Sequence, residues 1–254
     1  MTAPNADVRR FDDAAALVAA AADDVVAVIE QAQAERGFAS IVLTGGTNGN
    51  ALSAALREKV IDWSRIDVFF GDERFVAGDD PDRNVLQAED ALLSHVPIPD
   101  SNVFRYPAFD EFSGDGELAA RVYAKRLADN AAARGNAVTV GGGTVPRFDV
   151  HLLGMGGEGH INSLFPHTEA VREQDATVVS VRDSPKPPPR RLTLTLPAVA
   201  AARRVWFLVS GADKAEAVAA GVGGASPEDW PCAGAHGSEA TVWYVDGAAA
   251  SQLS

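Results

Sequence analysis

The sequence predicts an α/β protein with an open, mostly parallel, Rossmann-like sheet and helices on both faces. Two observations lead to this prediction: short apolar segments alternate with helical segments, and glycine-rich segments directly follow several of the apolar ones. The chain of 254 residues is 46% hydrophobic and 22% charged, which is enough to bury a sizeable core. We expect a single domain over residues 1–254, with residues 1–10 mobile.

Strands are predicted where short runs of apolar and β-branched residues are bounded by turn residues. In chain order these runs are 40–44, 66–70, 148–153, 177–181, 192–196, 205–209 and 241–245. Helices are predicted between them, at 12–36, 50–59, 85–93, 117–133 and 214–220. The first helix ends before Gly37, because glycine commonly stops a helix. Loops are predicted at the polar segment 78–84, the glycine-rich segment 135–146, and 184–189, which contains four prolines.

Charge and cysteine content exclude several classes of protein. With 22 Lys and Arg against 35 Asp and Glu the net charge is −13, whereas nucleic-acid binders are usually basic. Cys232 is the single cysteine, which excludes an internal disulfide and a cysteine-built zinc site. The longest early apolar run, 14–22, has acidic flanks and is too short to cross a membrane. We therefore expect a cytoplasmic protein that binds neither membranes nor nucleic acid.

Four glycine-containing segments directly follow predicted strands, at 45–49, 71–74, 154–160 and 211–214. In a parallel sheet such segments emerge together at the carboxyl edge, where ligands bind in open α/β folds. Segments far apart in the sequence are therefore expected to line one pocket.

The first of these segments is suited to binding an anion. Gly45 and Gly46 let backbone N–H groups approach a phosphate, Thr47 adds a hydroxyl donor, and the following helix contributes its positive N-terminus. The Gly-Lys-Ser/Thr ending of a nucleotide P-loop is absent. A plain strand-to-helix turn is the alternative interpretation, because glycine turns are common.

The second segment, Gly71-Asp72-Glu73-Arg74, places two carboxylates and a guanidinium in one turn. Asp72 or Glu73 can act as an acid or a base, and Arg74 can hold an anionic group or stabilise an oxyanion. The alternative is a solvated salt-bridge cluster on a loop.

The third segment, 154–160, contains the pattern G-x-G-x-x-G that also occurs in dinucleotide-binding folds. Pro166 interrupts the helix that a dinucleotide site needs, so we disfavour that interpretation. His160 ends the segment, and Glu158, two residues earlier, is placed to orient an imidazole for acid–base catalysis. No second histidine has the spacing of a metal site, and we expect no metal.

Basic residues in later segments supply positive charge. Lys214 lies at a strand-to-helix junction on the predicted ligand edge, and Arg190 and Arg191 directly precede a strand. We expect Lys214 and one of the two arginines to bind phosphate, and Lys186 to be an ordinary surface residue.

These motifs together resemble the 6-phosphogluconolactonase family. The resemblance spans roughly residues 38–246 and rests on Gly71-Asp72-Glu73-Arg74, Asn84, and the segments 153–166, 191–195 and 211–215. It implies an open α/β fold shared with glucosamine-6-phosphate deaminases. It also implies a carboxylic ester hydrolase that converts 6-phospho-D-glucono-1,5-lactone to 6-phosphogluconate in the oxidative pentose phosphate pathway. The expected partner is this small sugar-phosphate lactone, with no cofactor and no metal, and we expect a monomer.

The resemblance also implies roles for individual residues. His160 falls on the base that activates water, Glu158 on its neighbouring acid, and Arg74 on the arginine of the Gly-Asp-Glu-Arg turn. The family's phosphate loop falls on the segment that begins at Gly45. The predicted substrate and phosphate contacts are Gly45, Gly46, Thr47, Asn84, Gly156, Gly157, Arg190, Arg191 and Lys214, and Asp72 is predicted to be catalytic. Arg74 or backbone N–H groups near Gly156 and Gly157 would bind the oxyanion.

Three positions depart from the family pattern. Glu158 stands where members usually carry aspartate, which is one methylene shorter. Asn162 stands where a small residue is usual, and Thr47-Asn48 replaces a more common Ser-Pro or Ser-Thr pair.

Two other functions compete with the lactonase. A sugar-phosphate deaminase or isomerase on the same fold would share the phosphate loop and the glycine-framed histidine, but the Gly-Asp-Glu-Arg turn and the Ser-Leu-Phe-Pro string favour the lactonase. A non-catalytic sugar-phosphate sensor would need no base, so the presence of both Glu158 and His160 argues against it.

Overall fold

Strands and helices alternate along the chain in the computed structural model, which describes residues 6–253. The strands are β1 (Asp7–Phe11), β2 (Ala39–Leu43), β3 (Ile66–Phe70), β4 (Asp72–Arg74), β5 (Ala137–Val140), β6 (Gly143–Pro146), β7 (Val150–Leu153), β8 (Val178–Val181), β9 (Arg191–Leu194), β10 (Arg204–Val209) and β11 (Ala240–Asp246). The helices are α1 (Ala14–Arg36), α2 (Gly46–Arg57), α3 (Asn84–Ala91), α4 (Gly116–Arg134), α5 (Glu169–Arg172), α6 (Leu196–Ala200) and α7 (Ala215–Val222).

A six-stranded parallel sheet forms the centre of the molecule, in the order β1-β11-β10-β7-β2-β3. Every residue of β2 and of β3 is buried, as expected for strands covered on both faces. The core is well packed around large side chains, and the rings of Phe207 and Trp243 stack with centroids 3.7 Å apart. The predicted fold class is confirmed.

The ends of α1 follow the sequence signals. The Asp13 carboxylate accepts the backbone N–H of Ala16 at 2.8 Å, which caps the first turn. Gly37 ends the helix with a φ of 82°, a conformation that favours glycine. Among residues 6–253, no helix combines the length and the apolar character that crossing a bilayer requires.

The N-terminal segment differs from the prediction. Residues 7–11 form the edge strand β1, which pairs in parallel with β11, so the expectation of a mobile segment is wrong for residues 7–10. Arg9 also binds the carboxylate of Asp24 on α1 at 2.6 Å. The segment is placed by its partner strand, and its own short, charged sequence carries no strand signal. Residues 1–5 lie outside the described residues.

Two small antiparallel sheets, β4-β9-β8 and the hairpin β5-β6, account for two further differences. The segment 71–74, expected as a turn, enters the first of these sheets as β4 and pairs with β9. The segment 135–146, expected as a loop, contains the hairpin of β5 and β6. The partner of β4 is distant in the sequence, and the two strands of the hairpin have a low apolar content. Local sequence patterns therefore do not indicate these strands.

The topology brings the carboxyl ends of β2, β3, β7 and β10 to one edge of the sheet, because β7 lies between β2 and β10 and β3 follows β2. The four glycine-containing segments therefore emerge together, as predicted. The helix after β2 begins at Gly46 rather than at residue 50, so the predicted glycine loop forms the first turn of α2.

Candidate active site

His160 and Glu158 form a hydrogen-bonded pair after β7. The Nδ1 atom of His160 lies 2.9 Å from Oε1 of Glu158. The imidazole also stacks on Phe165, with ring centroids 4.5 Å apart. A carboxylate at Nδ1 keeps the proton on that nitrogen and leaves the lone pair on Nε2. The ring is therefore oriented to accept a proton at Nε2.

The surroundings of this pair set its charge. His160 is 18% exposed, and burial together with the charge of Lys186 lowers its pKa to about 4. Burial would raise the pKa of Glu158, but hydrogen bonds from its own backbone and from Lys186 outweigh this effect and lower it to about 2. At neutral pH the pair is a neutral imidazole beside a carboxylate, the state that a general base requires.

Gly156 lies behind this pair. A Cβ at this position would overlap Nδ1 of His160 and crowd the carboxylate of Glu158. Its N–H donates to the backbone carbonyl of His160 at 3.0 Å, which argues against this N–H as an oxyanion donor, while the role of the N–H groups near Gly157 stays a prediction. Gly157 packs instead against the backbone of Asp213, whose carbonyl oxygen would lie 2.9 Å from a Cβ there.

Asp72 and Glu73 lie in different environments. Asp72 lines the same cavity as His160 and accepts hydrogen bonds from Ser163 Oγ at 2.6 Å and Asn84 Nδ2 at 3.0 Å. Glu73 is fully buried and accepts backbone N–H groups from the first turn of α3, while burial raises its pKa to about 7. The alternative of a solvated salt-bridge cluster is wrong, and Asp72 is the carboxylate that a ligand can reach.

Arg74 and Asn84 contact each other in the wall of this cavity. NH1 of Arg74 donates to Oδ1 of Asn84, and Asn84 Nδ2 donates to the backbone carbonyl of Asp72 at 2.9 Å. Gly45 packs against the pair, because a Cβ there would overlap the Asn84 amide and lie 3.2 Å from Arg74 NH1. Within residues 6–253, the buried Nε of Arg74 has no hydrogen-bond partner. The guanidinium lines the cavity and carries the positive charge that an anionic group would meet there.

Arg190 directly precedes β9 and Arg191 is its first residue, and the two side chains point to opposite sides, as those of successive residues in an extended chain do. Arg191 lines the cavity and donates to the carbonyls of Pro188 at 2.7 Å and Pro187 at 3.1 Å. Arg190 lies on the other side, 5.3 Å from the ring centroid of Phe109. Both arginines were candidates and one of them was expected to bind phosphate. Arg191 is the one in the cavity wall, and Arg190 lies outside it. Most donors of Arg191 bind the protein itself, and its contact with phosphate stays a prediction.

Lys186 makes a contact that sequence reasoning did not predict. Its Nζ lies 2.9 Å from Oε1 of Glu158 and 3.4 Å from Nδ1 of His160, so it is not an ordinary surface residue. It is one of four lysines in a chain that otherwise uses arginine. The scarcity of lysine was the sequence feature that could have indicated a specific role for Lys186.

Asn162 and His151 are neighbouring polar side chains in and behind the cavity wall, and the Asn162 amide favours protonation of His151. Asn162 lines the cavity with a φ of 47°, in the left-handed region. His151 of β7 is fully buried, and burial lowers its pKa to about 3. A Cβ on Gly71 would overlap the Asn162 amide oxygen and lie 3.1 Å from His151 Nε2, so glycine leaves the space that both side chains occupy.

A second cavity adjoins the first. The two share residues at the ends of β2 and β7, namely Gly45, Gly46, Gly154 and Met155. The second cavity is lined by Thr47, Ser210 and Lys214, and α2 begins in its wall. Hydroxyl groups, a lysine and a helix N-terminus together favour an anion. Thr47 and Lys214 line only the second cavity and His160 lines only the first, so the shared residues lie between them.

The joined cavities offer a base at one end and a cationic anion pocket at the other. This arrangement suits an elongated ligand that has an electrophilic carbon near His160 and a phosphate near Lys214. Within residues 6–253, no cluster of three or more His, Cys, Asp or Glu side chains is arranged to hold a metal ion.

Comparison with known proteins gives concordant matches. The family model described as glucosamine-6-phosphate isomerases/6-phosphogluconolactonase matches residues 12–243. A 6-phosphogluconolactonase of Mycobacterium tuberculosis is 52% identical over 252 residues, which cover 98% of this chain and 99% of that protein. One of Streptomyces coelicolor is 49% identical over 239 residues, covering 92% and 89%. The solved structure of 6-phosphogluconolactonase from Trypanosoma cruzi has a TM-score of 0.85 at 26% identity and covers 100% of both chains.

Proposed function

The chain belongs to the family of glucosamine-6-phosphate isomerases and 6-phosphogluconolactonases, and on this premise we propose that it hydrolyses 6-phospho-D-glucono-1,5-lactone to 6-phospho-D-gluconate. The observation that carries the proposal is the joined cavity with His160 in one part and Lys214 in the other. The substrate carries its carbonyl at C1 and its phosphate on C6. The carbonyl end of the substrate thus fits the part of the cavity with His160, and the phosphate end fits the part with Lys214.

His160 supplies the base. Its Nε2 takes a proton from a water molecule as the water oxygen attacks C1, and Glu158 stabilises the resulting imidazolium through Nδ1. The carbonyl π electrons move to oxygen, so a tetrahedral oxyanion forms.

When this intermediate collapses, His160 changes from a base to an acid. The C1–O5 bond breaks, the imidazolium returns its proton to O5, and the ring opens to a hydroxyl and a carboxylic acid that ionises. A δ-lactone is already reactive, so the protein needs no covalent nucleophile.

Arg74 is placed to stabilise the oxyanion. Its guanidinium lines the wall that also contains His160. Asn84 holds the guanidinium there and is in turn held by Asp72. Asp72 accepts hydrogen bonds from two neutral side chains, those of Asn84 and Ser163. These contacts suit a carboxylate that orients the residues of the cavity wall better than they suit one that transfers protons.

Phosphate binding is assigned to the second cavity. Thr47, Ser210, Lys214 and the N-terminus of α2 surround it. This anchor converts the attack of water into a reaction of a positioned carbonyl. The expected place in the oxidative pentose phosphate pathway and the expected monomeric state are part of the same proposal.

The test is hydrolysis of freshly generated 6-phosphogluconolactone by the protein, measured against the spontaneous rate with EDTA present. Strong acceleration is expected. Absence of acceleration together with ammonia release from glucosamine-6-phosphate would favour the deaminase. Absence of both activities with tight binding of 6-phosphogluconate would favour the sensor.

A further inference from the structure

The proline-rich segment 184–189, here called the strap, is held in place by a buried arginine. Arg191 donates to three consecutive strap carbonyls, those of Lys186, Pro187 and Pro188, at 3.3, 3.1 and 2.7 Å. The strap is also closed on itself, because the N–H of Ser184 donates to its last carbonyl at 2.9 Å. The backbone on both sides of Lys186 is therefore fixed.

The lysine of this strap ends on the Glu158 carboxylate. Nζ of Lys186 lies 2.9 Å from Oε1 and 3.2 Å from Oε2. The same Oε1 lies 2.9 Å from Nδ1 of His160. One carboxylate oxygen thus binds both the ammonium and the imidazole, on the side of the ring away from Nε2.

We propose that Lys186 is a positioning residue: it holds the Glu158 carboxylate against Nδ1 of His160, and Arg191 holds the strap so that this contact forms. Its catalytic consequence rests on the proposed function. Glu158 is 38% exposed, so without a partner its side chain is free to rotate into solvent. The Nε2–H tautomer would then compete, and that form has no lone pair for a proton from water.

The ammonium also acts on the charge of His160. Lys186 lies 3.4 Å from Nδ1 and opposes protonation of the ring, while Glu158 and Asp72 of β4 favour it. Arg74 and Arg191 line the same cavity. On the other side of the strap lysine, Asp213 is paired with Lys214 at 2.9 Å. Lys186 is thus the cation in direct contact with the imidazole. Its removal takes away a charge that opposes protonation and also frees a carboxylate that favours it, so the position of the ring proton reports on positioning more directly than the pH at which His160 titrates.

The test compares Lys186→Met with Lys186→Arg, and uses Lys125→Met as the matched control. Lys125 lies in an exposed ion pair with Asp129 at 2.7 Å on α4. The ring nitrogens of His160 are observed by 15N NMR at pH 7 in the protein without substrate, with His160→Gln used to assign their signals among five histidines. The share of the Nε2–H tautomer should rise in Lys186→Met and stay at the wild-type value in Lys186→Arg and Lys125→Met.

Lactone hydrolysis supplies the second readout. We expect kcat to fall about tenfold in Lys186→Met with little change in KM, and to recover in Lys186→Arg. An unchanged tautomer share in Lys186→Met overturns the assignment, and so does an equal rise in Lys186→Arg. A raised share with unchanged kcat overturns the catalytic part. Because the NMR measurement needs no substrate, it decides the assignment even if the wild-type protein does not hydrolyse the lactone.

Arg191→Met tests the role of the strap anchor. With Lys186 still present, the share of the Nε2–H tautomer of His160 should rise as in Lys186→Met, provided that circular dichroism shows a folded protein. An unchanged share in folded Arg191→Met overturns the role of Arg191. If this variant does not fold, the milder Arg191→Lys variant is used, and the exchange rate of the strap amide hydrogens is measured. We expect faster exchange than in wild type, and unchanged exchange would contradict the role of Arg191.

Discussion

The carboxylate of Glu158 lies 2.9 Å from Nδ1 of His160, and only Gly159 separates the two residues in sequence. Gly159 has a φ of 77°, in the left-handed region that glycine adopts at no steric cost. A Cβ there would also lie 2.8 Å from the Trp230 ring. The close pairing of acid and imidazole therefore depends on the glycine between them.

Replacing Glu158 by glutamine should lower kcat about tenfold to a hundredfold, with KM nearly unchanged. A neutral amide holds the Nδ1 proton more weakly and stabilises the imidazolium less. Glu117→Gln is the control, because Glu117 is an exposed acid on α4 whose nearest cation, Arg182, lies 3.8 Å away. A kcat within twofold of wild type in Glu158→Gln would contradict this role.

Lys214→Met should raise KM for 6-phosphogluconolactone by about tenfold or more, since a charge-assisted contact to phosphate is lost. The decisive comparison is unphosphorylated glucono-1,5-lactone, whose hydrolysis should be unaffected by this substitution. Equal effects on both lactones would place the phosphate elsewhere.

Gly156→Ala should lower kcat at least tenfold, because the new methyl group overlaps His160 and crowds Glu158. Gly247→Ala serves as control, since a Cβ at Gly247 meets nothing within 4 Å. The NMR signal of His160 should move in the first variant and not in the second. Wild-type turnover in Gly156→Ala would show that the loop relaxes without disturbing the pair.

Acid should destabilise the protein through His151. Burial lowers the pKa of His151 from 6.5 to about 3, so between these values the unfolded chain binds a proton that the folded chain does not. The free energy of unfolding therefore falls as pH drops below 6.5, by about 1.4 kcal/mol per pH unit from this group. Urea unfolding at pH 7 and pH 4.5 should show a smaller loss in His151→Leu than in wild type. Equal losses would contradict this contribution.

The sequence predicts the central sheet and the meeting of the four glycine segments because both follow from short-range patterns. Apolar strands alternate with helices, and parallel strands place the segments that follow them at one edge. Glu158 and His160 are close in sequence, so their contact could be anticipated. The strand β4 could not, because its pairing with β9 joins residues more than a hundred positions apart.

The contributions of single side chains were harder to predict than the location of the site. Arg190 and Arg191 are chemically identical, and only the register of β9 decides which one faces the cavity. Lys186 reaches Glu158 because Arg191 fixes the strap, a tertiary contact with no local signature. The N–H of Gly156 donates to the His160 carbonyl, a contact within the loop that the glycine pattern alone does not indicate.

The most direct test of the account is the turnover of 6-phosphogluconolactone by wild type and His160→Gln, measured side by side at pH 7 and corrected for spontaneous hydrolysis. A glutamine retains the size and polarity of the side chain but cannot act as a base. We predict a fall in kcat of at least about a hundredfold with KM within threefold of wild type, as expected for lost general-base catalysis. Near-normal turnover by a folded His160→Gln protein would contradict the central claim that His160 activates the attacking water.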